Sequence, residues 1–119
     1  MSSLAQAMAA SPTVFVTEKR NARVKPSLIV IDNALGAADA IFCVVDRFTP
    51  AVTAGVPAPV VTTVTRLQVN VAMLACVSLQ DELKDVLILG GLEITRQLLV
   101  GGVQVADPNC VVTVAWDFI

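Results

Sequence analysis

The chain contains no histidine and no tyrosine, and aromatic residues make up only 4% of its 119 positions. Without histidine there is no Ser-His or Cys-His nucleophile pair, no imidazole base and no imidazole metal ligand. Four Phe and one Trp are too few for the two aromatic girdles of an outer-membrane barrel. Charge is scarce as well, at 15% of residues against about 25% in an ordinary soluble domain. The net charge of -2 supplies no global basic field for nucleic acid.

Uninterrupted hydrophobic runs are also missing, although the mean hydropathy is +0.76. A spanning helix needs about 20 mostly apolar residues in a row. The charge-free stretch 48–65 carries Pro50, Pro57 and Pro59, which a membrane helix does not tolerate. The stretch 67–80 is broken by Gln68, Asn70 and Ser78, and 97–106 by Gly101-Gly102. No membrane span is expected. The first ten residues lack the positive n-region and continuous apolar core of a secretory signal, so synthesis in the cytoplasm is expected.

Cysteine is sparse and odd in number: Cys43, Cys76 and Cys110, each inside an apolar run. There is no CxxC pair and no histidine to complete a zinc site. They read as free buried thiols of a reducing compartment, with one disulfide plus one thiol as the alternative. Catalytic motifs are absent too. Gly90-Gly91 and Gly101-Gly102 lack the frame of a phosphate loop, and no GxSxG elbow exists. Asp81, Glu82 and Asp85 read as helix-start acids, and Asp46 beside Arg47 as a polar pair at a strand end. An enzyme would require two of Asp32, Asp46, Glu93 and Asp117 to converge in a pocket. No cofactor, metal or small-molecule substrate is expected.

What the chain has in abundance is apolar residues, 55% of the total. Valine is the commonest residue, and β-branched types favour pleated sheet. Alternation is explicit in several segments. Leu67, Val69 and Val71 share one face while Arg66, Gln68 and Asn70 share the other. Cys110, Val112, Val114, Trp116 and Phe118 likewise oppose Val111, Thr113, Ala115 and Asp117. Val14 and Val16 oppose Thr13, Phe15 and Thr17. Four runs near 28–31, 41–45, 73–77 and 86–89 are apolar on both faces, the mark of strands covered on two sides. The two Gly-Gly pairs read as hairpin turns in a meander from about residue 86. Ser78 followed by acids predicts one short helix over about 79–85.

The expected fold is therefore all-β: an antiparallel β-sandwich or jelly-roll-like domain of about eight strands. An immunoglobulin-like sandwich is the alternative, though its Cys-Trp-Cys pattern is missing. Residues 1–11 are expected as an extended N-terminal arm, flexible or docked on a partner, and 12–119 as the sandwich.

The expected function is structural. Two-faced strands need a second cover, and in a small all-β domain that cover is another copy of the chain. The reading is a self-assembling subunit of a shell or filament, most concretely a viral capsid or capsid-decorating protein residing in a virion. Its partners would be other copies and a larger shell protein. Subunit contacts are expected from the loop residues Pro50, Val52, Val56, Pro57 and Pro59, and from Val14, Phe15 and Val16. Lys19, Arg20, Arg23 and Lys25 form the one basic cluster. With no aromatic to stack bases, it would touch nucleic acid only weakly, through phosphates. The alternative is a monomeric sandwich that binds a protein or carbohydrate ligand. Trp116 is the sole indole, and its place on an apolar face argues against a sugar site.

Overall fold

The computed structural model describes residues 2–10, 12–19, 22–36, 38–49 and 61–119. Eight strands form: β1 (Ser2–Met8), β2 (Thr13–Val16), β3 (Val24–Asp32), β4 (Ala40–Phe48), β5 (Thr62–Val71), β6 (Cys76–Leu79), β7 (Gly91–Leu98) and β8 (Asp107–Phe118). They make two four-stranded sheets, ordered β1-β8-β3-β6 and β2-β7-β4-β5. Every pairing is antiparallel.

The order follows a simple rule. β1 pairs with β8, β2 with β7, β3 with β6 and β4 with β5. The chain is thus one long antiparallel ribbon, doubled back at the β4–β5 connection and wound so that alternate strand pairs fall in opposite sheets. The contacts β3–β8 and β4–β7 close the winding. This is the double-sheet jelly roll.

The core lies between the sheets. Ile29 and Ile31 of β3 and Cys110, Val112 and Val114 of β8 face Phe42 and Val44 of β4 and Leu92 and Ile94 of β7, all essentially inaccessible. Alternation along β8 from Cys110 to Trp116 and along Leu67, Val69 and Val71 of β5 puts the expected side chains inward, while Phe118 at the end of β8 is exposed. On β3 and β4 the opposite faces are apolar too. Leu28, Val30, Ile41, Cys43 and Val45 are half-buried there, so these two strands are two-faced as expected.

Several local expectations are corrected. Instead of a helix over 79–85 there is only a 3-10 turn, Asp81–Leu83. Ser78 does not cap it, because Ser78 lies in β6 opposite Val30. The run 86–89 is a connector rather than a strand, with Val86 and Ile88 plugged into the core. Residues 73 and 74 are loop. The meander is also broken, since β7 and β8 belong to different sheets. Gly101-Gly102 does make a tight reversal, and both glycines have positive φ (88° and 66°), which costs a side-chain-free residue little. Gly91 instead begins β7.

Two bulges reset side-chain direction. In β5 the register slips so that Arg66 is the extra residue between Thr65 and Leu67. Arg66 therefore leaves the outer row of Gln68 and Asn70. In β2 the slip between Val14 and Val16 turns Phe15 and Val16 both inward. The expected N-terminal arm forms β1, laid against β8 of its own chain from Ser2 opposite Trp116 to Met8 opposite Asp107.

Candidate functional site

The winding sends successive connections to opposite ends of the sandwich, and the two ends differ in chemistry. At one end lie residues 17–19, 22–23 and 80–90, which carry Glu18, Lys19, Arg23, Asp81, Glu82, Lys84 and Asp85. At the other lie residues 33–36, 38–39, 72–75 and 99–106, and among these described residues Asp39 alone is charged.

That second end exposes hydrophobic side chains. Leu35, Leu74 and Val100 are 77%, 72% and 86% exposed, and Met73, Leu99, Val103 and Val105 are exposed beside them. The three loops are held as one body. Asp39 accepts from Met73 N–H at 2.8 Å through its carboxylate and from Leu99 N–H at 3.1 Å through its carbonyl. Asn33, wholly inaccessible, donates from Nδ2 to the carbonyls of Ala38 and Ala72 at 3.1 Å each. Its own carbonyl accepts from Leu74 and Gly36. A Cβ on Gly36 would sit 1.7 Å from Asn33 Oδ1, so glycine is needed there. Leu74 takes a positive φ of 69°, a conformation costly for a leucine. An exposed leucine held in that conformation on a braced loop marks a surface organised around something other than core packing.

Charges buried at the two ends of the core fix the loops' bases. At the apolar end Arg96, 3% exposed, donates to the Val105 carbonyl at 2.9 Å and to Asp107 Oδ2 at 3.3 Å. Cys110 lies next to this pair. Burial pushes its thiol up from 9.0 to about 11, the nearby Asp107 and Asp32 carboxylates add to the rise, and Arg96 opposes it. Cys110 therefore stays protonated at neutral pH and is no nucleophile. At the charged end Asp46, fully buried, accepts from Arg66 Nε and Nη2 at 3.1 and 2.8 Å. It also accepts from the backbone N–H of Leu89 and Gly90 at 2.9 and 3.0 Å. Asp46 thus turns away from Arg47, as strand neighbours must. Arg47 instead approaches Glu93 at 3.8 Å.

The predicted site residues are dispersed. Pro50, Val52, Val56, Pro57, Pro59 and Arg20 fall outside the described residues. Phe15 and Val16 are buried in the core rather than exposed, whereas Val14 is exposed. Val14 borders a cleft of about 380 Å³ with Glu18, Arg47, Val61 and Glu93. Lys25 is not available to a partner's phosphates. Its ammonium donates to the carbonyls of Leu83, Lys84 and Val86 at 2.8, 2.7 and 2.8 Å. Lys19 lies over the Phe118 ring, 4.9 Å from its centre, and Arg23 is exposed. Trp116 is packed against the core. All three cysteines are free thiols, but only Cys110 is buried; Cys43 is half-buried and Cys76 exposed. The four carboxylates weighed for catalysis do not meet. Asp32 and Asp117 end opposite termini of β3–β8 pairing, and Asp46 and Glu93 face opposite sides of their sheet. Among the described residues no group of His, Cys, Asp or Glu is placed to hold a metal, and no helix is long and apolar enough to cross a membrane.

The apolar end escaped sequence reading because its members are scattered over three connections. The available signal was a contrast between alternate connections, 33–39, 72–75 and 99–106 being nearly charge-free while 17–23 and 80–90 are charge-rich. No protein-family model, curated protein or solved structure matches this chain.

Proposed function

We propose that this chain is a self-assembling structural subunit of a shell or filament, in its most concrete form a viral capsid or capsid-decorating protein residing in a virion. The observation that carries the reading is the braced apolar end. Leu35, Leu74, Leu99 and Val100 stand out from loops that are hydrogen-bonded to one another and carry a single charge. A small domain gains nothing alone from holding such side chains in water, and a contiguous exposed apolar patch is the usual mark of an interface. The jelly roll suits this use because its packed sheets are rigid and its connections gather at two ends. It serves capsid and lectin domains alike, so the fold by itself does not choose between them. The apolar end supports a protein neighbour over a sugar, and another copy of the chain is the simplest such neighbour. A larger shell protein is the second. Lys25 is already spent within the domain, which weakens any contact with nucleic acid.

Light scattering after size exclusion tests the reading. The expected result is a mass that is a multiple of 12.5 kDa at tens of micromolar, reduced toward a single chain by Val100→Asp. A monomer for the unmodified protein across that range overturns the proposal and favours a monomeric binding module.

A further inference from the structure

We infer that the joint between copies is made by exchange of β1: the strand Ser2–Met8 of one copy takes the place of the same strand against β8 of a neighbour. The inference rests on the self-assembly reading and adds to the apolar contact proposed there the strand that links the copies, both being needed for assembly.

Four observations carry it. β1 is an edge strand, paired on one side only, to β8. Its side chains are poorly anchored. Ser2, Ser3, Leu4, Ala5 and Ala7 are exposed, Gln6 is half-buried, and of β1's seven side chains, all described, Met8 alone is buried. A strand held mainly by backbone hydrogen bonds belongs to the part of a fold that opens at least cost. Its sequence, Ser-Ser-Leu-Ala-Gln-Ala-Met, carries no charge and no proline, two of the devices that keep edge strands from joining other chains, and its pairing is irregular only between Ala7 and Met8. Finally, β1 is joined to β2, which lies in the other sheet, by only four residues, Ala9-Ala10-Ser11-Pro12.

The slot that would receive the strand is visible in the chain itself. Ser2 pairs with Trp116, Leu4 with Val114, Gln6 with Val112 and Met8 with Asp107, and Gln6 Nε2 donates to the Val14 carbonyl. A β1 from a second copy would find the same partners in the same register. Exchange therefore keeps every β1–β8 pairing of the closed chain and changes the path of the link, where Ala9 N–H donates to Thr13 Oγ1 in the closed form. That equivalence is the condition under which identical elements swap, and it commits the occupant to a second copy of this chain.

Ala5 and Thr113 are opposite one another and allow a direct test in the full-length protein. Cys43→Ala and Cys76→Ala clear the accessible thiols, while Cys110 is inaccessible and stays. With Ala5→Cys and Thr113→Cys added, oxidation at high dilution closes β1 onto its own β8. The locked chain is expected to remain at 12.5 kDa at a concentration where the reduced chain has at least doubled its mass, and reduction should restore assembly. Mixing chains that bear Ala5→Cys alone with isotopically heavy chains that bear Thr113→Cys alone should give a light–heavy disulfide. If the unmodified protein assembles, the locked chain assembles equally, and no light–heavy product forms, the exchange is overturned while self-assembly stands. If the unmodified protein is monomeric throughout, both fall.

Discussion

Cys110 shows how one buried group ties stability to pH. Its thiol titrates near 9.0 when unhindered and at about 11 in the fold, chiefly through burial. The folded chain thus holds a proton that the unfolded chain releases, so unfolding becomes easier as pH rises. The contribution is intact below pH 9 and is lost through about 11. Cys110→Ala removes it and leaves a small cavity instead. The stability advantage of the unmodified protein over this variant, measured by urea unfolding, should narrow between pH 8 and 10.5 by about 1–2 kcal/mol. An unchanged gap would place the thiol outside the core. Asp46 makes the complementary point about legibility. Its sequence neighbour is Arg47, yet its charge is met by Arg66 and two backbone N–H groups. Arg66 reaches inward only because β5 bulges at that residue. Alternation predicts faces well, but a one-residue slip reverses them, and no local signal in Thr65-Arg66-Leu67 announces the slip.

Among the elements, long strands with a clean period of two were legible, and short ones were not. β8 as far as Trp116 and the second half of β5 turn the expected side chains inward, because burial on one face dictates their register. Ser78-Leu79-Gln80-Asp81-Glu82-Leu83 carries good helix-start chemistry, but β3 recruits Ser78 and Leu79 into β6, and tertiary pairing overrides local propensity. What remains is a 3-10 turn capped from outside by Lys25. Three carbonyls of that turn and its exit, from Leu83, Lys84 and Val86, share one ammonium. Lys25→Met keeps the aliphatic stem and removes the ammonium from all three, leaving Leu83 the bond from Val86 N–H. The expected cost is about 1.5–3 kcal/mol for hydrogen bonds to a charged group. Hydrogen exchange should show the loss of protection concentrated at residues 81–88, because Leu83, Val86 and Ile88 pack through this segment. A loss spread evenly over both sheets would contradict the capping role.

As a whole, the molecule is asymmetric along its strands, with charge at one end and hydrophobic loops at the other. The class of fold was evident from composition and alternation, whereas this polarity emerges only once the winding assigns each connection to an end. Leu74 condenses the trade-off that polarity implies. It is 72% exposed and sits at a φ of 69°, so the isolated chain bears both strain and wetted apolar surface for it. Asn tolerates that backbone far better than leucine. Leu74→Asn is expected to stabilise the single chain by about 0.5–1 kcal/mol, seen as a higher thermal midpoint in dilute solution. The same variant should assemble only at several-fold higher concentration in light scattering. A variant that is both less stable and equally assembled would detach Leu74 from the interface.

The doubled-back ribbon also sets an order in time. Phe48 pairs with Thr62 across the shortest intervening chain, Asp32 with Cys76 and Val16 with Leu92 across progressively longer ones, and Met8 with Asp107 across nearly the entire sequence. Each later pairing must close a larger loop, and loop closure grows more costly with length. Folding is therefore expected to zip outward from the β4–β5 pair, with β1 docking last. During that final interval the β8 edge stands open in an otherwise finished sandwich. If copies join by exchange of β1, a neighbour's β1 would compete for that edge at high local concentration, and the moment of folding would also be the moment of joining.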